Sequence, residues 1–206
     1  MSPPGDIRAA LRRFHRRRLR RWGSSRAAMA IIMVSGADGP AVLLTRRPDS
    51  VGTGRGQLAL PSVRTDRWEP ASAAARGRLA ESLRIHLPPE AMLGALDDYI
   101  AHNSVVITPI VLWAGPISAQ QGPVTGVLAV SFTDLDVEPV FLASTESDHP
   151  MIRLPLNGEW LHAPTAAVLH QFRELVLHHR PTRVAHLAPI PHSAGLAGSI
   201  ECRYPR

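Results

Sequence analysis

The hydrophobic pattern changes period several times along the chain. Ala28 to Val34 is an unbroken apolar run of strand length, Gly36 to Pro40 is rich in turn formers, and Ala41 to Thr45 is a second apolar run; together they predict a β-hairpin. Gly52 to Gly56 reads as a glycine-broken loop and Gln57 to Pro61 as a short extended piece. Pro70 to Leu83 predicts a helix, with proline in the first turn, an alanine-rich body, and Leu79 and Leu83 spaced four apart. Met92 to Ile100, Val105 to Trp113, Val127 to Phe132 and Pro139 to Ala143 predict strands, and Met151 to Leu156 alternates as an edge strand would. Leu161, Thr165, Val168, Leu169, Phe172 and Val176 mark one face of a long second helix with Pro164 in its first turn. Beyond Pro181 the pattern fades into a stretch rich in proline and glycine, expected to be a loosely ordered tail. Strands, a helix, more strands and a late helix predict an α/β sandwich with a mixed sheet between helices, not a doubly wound fold.

A length of 206 residues fits one domain with appendages: an arm over residues 1–26, a body over 27–180 and a tail over 181–206. The single cysteine, Cys202, excludes a disulfide scaffold, and no apolar run approaches the ~20 residues of a membrane span. No clear secretory cleavage site follows the N-terminal arginines; a cytoplasmic protein is expected, with a twin-arginine leader and a transit peptide as the open alternatives for an arginine-rich, acid-poor start.

Charge divides the chain unevenly. All 23 basic residues are arginine. Residues 1–26 hold nine of them against one acid, Asp6, a net of +8, whereas the remaining residues carry 14 arginines and 16 acids, a net of −2. Ile7, Leu11, Phe14 and Trp22 fall near one side of a helix in this arm. Three readings stay open: a leader helix packing its apolar residues on the body, an arm neutralising nucleic-acid phosphates through residues 8–26, and a helix lying on an anionic surface. The histidines His170, His178, His179, His186 and His192 show no zinc-ligand spacing, and Cys202 has no assignable catalytic partner.

The segment Leu43-Leu44-Thr45-Arg46-Arg47, then Gly56-Gln57-Leu58-Ala59-Leu60-Pro61-Ser62-Val63, then Glu69 and Gly77-Arg78-Leu79-Ala80-Glu81-Ser82-Leu83-Arg84-Ile85 resembles the lead-in and signature box of the Nudix hydrolases, in particular the coenzyme A pyrophosphatase branch. Val106-Ile107-Thr108-Pro109 resembles that family's strand after the box, so the resemblance spans roughly residues 28–180. It implies a Nudix-type α/β/α sandwich, a homodimer, and a nucleoside-diphosphate-linked substrate hydrolysed with Mg²⁺ or Mn²⁺. In the box, three carboxylates at i, i+3 and i+4 on one helix hold the metal. Here those positions are Arg78, Glu81 and Ser82. The bracing arginine is Gly77, the loop glycines are Ser62 and Val63, and the closing glycine is Arg84.

The resemblance thus implies Glu81 and Glu69 as the remaining catalytic carboxylates, with Glu81 as the remaining metal ligand. Glu81 is also placed to pair with Arg78 at i, i+3. Arg78, Arg47, Arg55 and Arg64 could bind phosphate oxygens without metal, because guanidinium binds them bidentately. The expected function is therefore a hydrolytically impaired protein that binds a nucleoside-diphosphate-linked ligand. The alternatives are an active diphosphatase assisted by loop carboxylates (Asp66, Glu146 or Asp148) and a nucleic-acid-binding protein acting through the arm.

Overall fold

In a computed structural model, the described residues are 3–19, 24–36, 39–47, 56–66, 68–101, 104–116, 126–144 and 147–188. Trp22, Arg55, Glu146, His192 and Cys202 lie outside them. The main sheet is mixed. Its central path runs β3 (Leu58–Ala59), β2 (Gly39–Arg46), β1 (Arg26–Gly36), β7 (Val106–Pro116) and β5 (Met92–Ala95). Strand β4 (Ser62–Arg64) also pairs with β1, β6 (Tyr99–Ile100) with β7, and β8 (Val127–Ser131) with β2. The predicted hairpin is β1–β2, with Ile32 opposite Leu43. The β1–β7 pairing is parallel, from Arg26 opposite Val106 onward.

Strand β1 is buried from Ala27 to Val34 because the sheet is covered on both faces. Ala28, Ala30, Ile32 and Val34 face helix α2 (Ala71–Leu83), whose buried residues are Ala74, Ala75, Leu79 and Leu83. Met29, Ile31 and Met33 belong to the opposite core, with α1 (Pro3–Arg13) and α4 (Thr165–Val176). This is the α/β/α arrangement expected from the element order.

Every residue of α4 is buried. A second, three-stranded antiparallel sheet explains this: β9 (Val140–Leu142), β10 (Met151–Leu156) and β11 (Glu159–His162) contribute Ile152, Leu154, Leu156 and Leu161 to the core that holds the helix. Strand β10 is the centre of that sheet, not an edge. Its alternation comes from one face on α4 and one turned outward. Leu161 belongs to β11, not to the late helix; two residues separate the elements, and the four-residue spacing to Thr165 imitates helical period. The predicted strand Met92–Ile100 is broken between β5 and β6. Ala95 faces Ile110 and Tyr99 faces Ile107, so three residues stand against two, a bulge opposite Pro109, which has no N–H to donate. Helix α3 (Phe132–Leu135) is a single turn capped by the Ser131 hydroxyl, which accepts from the Asp134 amide.

The bulge carries Asp97 and Asp98, both 1% exposed, and both chain ends converge on it. Asp97 Oδ1 accepts from the Arg17 amide (2.6 Å) and from Arg183 Nη1 (2.8 Å), and Asp97 Oδ2 from Gln171 Nε2 on α4 (3.0 Å). Asp98 Oδ1 accepts from Arg16 Nη2 (3.0 Å) and Thr108 Oγ1 (2.8 Å), and Asp98 Oδ2 from the Leu19 amide (2.9 Å) and Arg26 Nη2 (3.3 Å). The Asp98 amide returns a bond to the Arg17 carbonyl (3.0 Å).

Of the three readings of the arm, the described residues follow the leader helix packed on the body, whereas the segment after α4 departs from the expected loose tail. Ile7, Leu11 and Phe14 are buried, and α1 lies so close to β5 that a Cβ on Gly94 would sit 2.8 Å from Leu11 Cβ. Residues 181–188 are not loose. Val184, Leu187 and Ala188 are buried, the Tyr99 hydroxyl donates to the Leu187 carbonyl (3.2 Å), and Arg183 lies 4.3 Å from the Phe14 ring centroid.

Two measurements follow from this packing. Asp98→Ala removes one member of a buried charged cluster and strands Arg16; chemical denaturation should show a loss of about 3 kcal/mol, with limited proteolysis opening the chain near Arg16–Arg18. The second concerns His170 on α4, which is 9% exposed and whose Nδ1 has no hydrogen-bond partner. Burial holds its pKa below the ordinary histidine value, against the opposing pull of Glu174; burial also lowers that of His162. The unfolded chain takes up protons near the ordinary value of about 6.5 while the folded imidazoles resist, so stability is lost as pH falls below that point. Thermal melts from pH 7 to 5 should show this decline, and His170→Gln should flatten it.

Candidate functional site

The chain reaches α2 through a tightly held path. The Arg47 amide donates to the Gln57 carbonyl (2.9 Å) and the Gly56 amide to the Arg47 carbonyl (3.1 Å), closing the base of the loop between them. Arg46 closes the same loop from its side chain: it donates to the Gly56 carbonyl and binds Glu159 on β11 with two nitrogens at 2.7 and 3.2 Å. This pairing ties the main sheet to the smaller one. It lowers the Glu159 pKa through the hydrogen bond from Arg46. The Leu60 amide then donates to Thr165 Oγ1 at the start of α4 (3.3 Å), and the Pro61 carbonyl accepts from Ala30.

Ser62 and Val63 run as strand β4, opposite Met29 and Ala28. Neither has a positive φ. Where the resemblance implies a glycine turn, the β-branched valine instead extends the sheet. After Arg64, the Glu69 amide donates to the Asp66 carbonyl (3.2 Å), forming a turn. Pro70 then caps α2 in an extended conformation.

Helix α2 packs its Ala74–Ala75–Leu79–Leu83 side on β1, β4 and β7 and leaves Gly77, Arg78, Glu81 and Ser82 exposed. Arg78 and Ser82 follow Ala74 and Ala75 at helical spacing, so they lie along the edge nearest the sheet. Ser82 Oγ donates to the Arg78 carbonyl at 2.6 Å, which satisfies the hydroxyl inside the helix. The helix ends at Arg84, which takes a left-handed conformation (φ 54°, ψ 28°) and donates its amide to the Leu79 carbonyl. The backbone turn implied by the closing glycine is kept, although the residue is arginine.

The predicted site residues are only partly brought together. Arg78 and Glu81 share the C-terminal half of α2, and Arg64 ends the strand against which the helix packs. Among the described residues no ion pair joins Glu81 to Arg78, so the expected pairing is absent. Glu69 lies before the first turn of α2 and Glu81 in its last, about 15 Å apart along the axis. These two carboxylates cannot share a metal ion. Arg47 is half-buried at the base of its loop, and Asp66 and Asp148 are exposed turn residues. His178 bonds Asp136 (2.8 Å) and holds its carboxyl below the usual range, aided by Arg173; it is not near His170 as a co-ligand.

The donor set at the three box positions is a guanidinium, one carboxylate and a hydroxyl already bonded to a carbonyl. Mg²⁺ and Mn²⁺ need several hard oxygen ligands. Among the described residues no group of three or more His, Cys, Asp or Glu side chains could hold a metal ion. The residues present do not fit the divalent metal that the resemblance implies.

Two features escaped the sequence reading. One is the Arg46–Glu159 pair, which links positions far apart in sequence and leaves no local signal. The other is the buried aspartate pair, whose signal was visible: two adjacent acids inside the apolar run Met92 to Ile100 have to find partners.

No family model matches the chain, and no curated protein matches it. Among solved structures, it is similar to the C-terminal domain of mouse MUTYH, in complex with human PCNA, at 19% identity over 78% of this chain and 92% of that one (TM-score 0.46). It is similar to a Nudix hydrolase from M. smegmatis, RenU, at 20% identity over 78% and 91% of the two chains (TM-score 0.45). It is also similar to the NUDIX domain of Shewanella oneidensis NrtR, complexed with ADP ribose, at 19% identity over 55% and 76% (TM-score 0.40).

The local geometry of α2 sets a stability test. A Cβ on Gly77 would meet nothing within 4 Å, so Gly77→Ala should stabilise the protein by about 1 kcal/mol through helix propensity alone. Arg84→Gly should likewise raise the melting temperature, because a left-handed conformation costs a non-glycine residue about 1 kcal/mol. A loss of stability in either variant would show that the α2 terminus is built differently.

Proposed function

We propose that this chain is a Nudix-fold protein, similar to coenzyme A pyrophosphatases over residues 43–87, that binds a nucleoside-diphosphate-linked compound without hydrolysing it. The observation that carries this reading is the exposed set Arg78, Glu81 and Ser82 on α2, where a metal-binding box would need three carboxylates. Changing the first position from carboxylate to guanidinium turns a cation site into an anion site. Arg78, with Arg64 on the adjoining strand and Arg47 and Arg55 from the loop before it, would neutralise phosphate oxygens by charge-assisted bonds. The same exchange removes the Lewis acid and the activated water that hydrolysis needs. Arg46 is not part of this set, since Glu159 already holds it.

An active diphosphatase remains the second reading. One observation favours it: Asp66 and Glu69 meet in a single turn at the start of α2. That turn could supply oxygen ligands that the C-terminal half of the helix lacks.

One experiment separates the two. The protein is titrated calorimetrically with coenzyme A, an acyl-coenzyme A, NADH, ADP-ribose and dinucleoside polyphosphates, in EDTA and then in Mg²⁺ or Mn²⁺, and the mixtures are assayed for products by mass spectrometry. The expected result is binding in EDTA, about tenfold weaker in Arg78→Ala, with no product. Metal-dependent product that disappears in Glu81→Gln or Glu69→Gln would overturn the proposal, as would binding that requires metal.

A further inference from the structure

We propose that the N-terminal strap is a preformed binding surface for nucleic-acid phosphate backbone, presented by Arg12, Arg13, Arg17 and Arg18. It does not depend on the reading of α2.

Seven of the nine arginines in the first 26 residues are among the described residues, and they have different fates. Arg16 and Arg26 turn inward to Asp98, at 3.0 and 3.3 Å. Arg8 donates to the Glu90 carbonyl (2.9 Å). Arg12, Arg13, Arg17 and Arg18 are exposed, and among the described residues none of them forms an ion pair. Their outward direction is fixed by what lies beneath. On α1, burying Ile7, Leu11 and Phe14 leaves Arg12 and Arg13 on the solvent side. Beyond the helix, the Arg17 amide is held by Asp97, its carbonyl by the Asp98 amide, and the Leu19 amide by Asp98. With its backbone tied on the inner side, the strap turns the Arg17 and Arg18 side chains to solvent.

The buried acids do not neutralise this surface. Asp97 and Asp98 are already matched by Arg16, Arg26 and Arg183. The four exposed guanidiniums are therefore surplus charge on an ordered scaffold. A flexible basic arm loses conformational entropy when it binds; this one has its backbone fixed beforehand.

The chemistry favours phosphate backbone over a lipid surface. A membrane-binding amphipathic helix inserts its apolar face into the bilayer. Here the apolar face of the described residues is committed to the core, and among them the sole exposed ring of the strap is His15. The contact would be sequence-independent, since the four guanidiniums reach phosphates and no further base-reading group is presented.

The test is fluorescence anisotropy with a labelled 20-nucleotide single strand and a 20-base-pair duplex, measured from 50 to 300 mM salt on the full chain. Four phosphate contacts predict that log K falls against log salt with a slope of about −3 on single strands. Replacing Arg12, Arg13, Arg17 and Arg18 together by Gln should weaken binding at 50 mM salt at least tenfold and flatten the slope. The melting temperature should hold, because the clamp uses the backbone of Arg17 and not its side chain. Arg84→Gln, an exposed arginine at the far end of α2, is the charge control and should bind as the wild type does. Absence of wild-type binding, retained binding in the quadruple variant, or an equal loss in the control overturns the proposal. So does binding to phosphatidylserine vesicles with none to either oligonucleotide, which would assign the surface to membrane.

Discussion

Two adjacent carboxylates, Asp97 and Asp98, sit almost out of reach of solvent, and an unpaired charge there would cost several kcal/mol. The rest of the molecule is arranged so that neither is unpaired. Each oxygen of the pair accepts at least two bonds, and the donors come from the N-terminal strap, β1, β7, α4 and the segment after α4. Five parts of the chain are thus fixed relative to one another by one cluster. Its position is not arbitrary. Pro109 in the central strand β7 cannot donate to its neighbour, the facing chain bulges by one residue, and the bulge aims consecutive side chains at the same strap.

That cluster also explains which parts of the fold were legible. The β1–β2 hairpin was clear because its apolar runs and turn residues are contiguous. Helix α2 was clear because Pro70 and the alanine–leucine spacing act locally. Residues 181–188 read as part of a tail because proline and glycine recur across 181–206, yet Arg183, Val184 and Leu187 are held by Asp97, the core and Tyr99. The clamp on residues 16–19 was equally hidden, although the packing of Ile7, Leu11 and Phe14 was among the readings that their helical spacing allowed. In both cases a long-range partner overrides composition, and nothing in the local sequence names that partner. The misplaced Leu161 is a different failure: β11 and α4 meet so closely that a strand residue falls on the helix period.

The candidate site was legible in the opposite sense, since its side chains could be read and its backbone could not. Arg78, Glu81 and Ser82 stand on one exposed stretch of α2, as spacing requires. The backbone, however, departs from the resemblance at one end and keeps to it at the other. Ser62 and Val63 extend into β4 instead of turning, whereas Arg84 holds the left-handed turn despite its side chain. The helix C-terminus is constrained by packing of Leu79 and Leu83 against the sheet, and that constraint outweighs the preference of residue 84. The segment before the helix is anchored differently, by the pairing of Ser62 and Val63 with Met29 and Ala28, and a β-branched valine suits that extended backbone.

The distribution of acids decides where the positive charge acts. Among the described residues, Asp97 and Asp98 are matched by Arg16, Arg26 and Arg183; Glu159 by Arg46; Asp136, Glu138 and Glu174 by Arg173, with Arg180 also on Glu174. These pairs hold elements together, and the buried ones, Asp97, Asp98 and Glu174, are withdrawn from the surface field. The net charge of +6 is therefore not spread over the protein. Among the described residues, exposed arginines without an ion pair lie along the strap (Arg12, Arg13, Arg17 and Arg18) and on β4 and α2 (Arg64, Arg78 and Arg84). Arginines left unpaired at the surface present a positive field to anything that approaches them. The two surfaces differ in what else they offer. The strap carries four exposed arginines with its apolar residues turned inward, the arrangement proposed for a polyanion, while Arg78 and Arg64 share the edge between α2 and β4, the arrangement proposed for a small phosphorylated ligand.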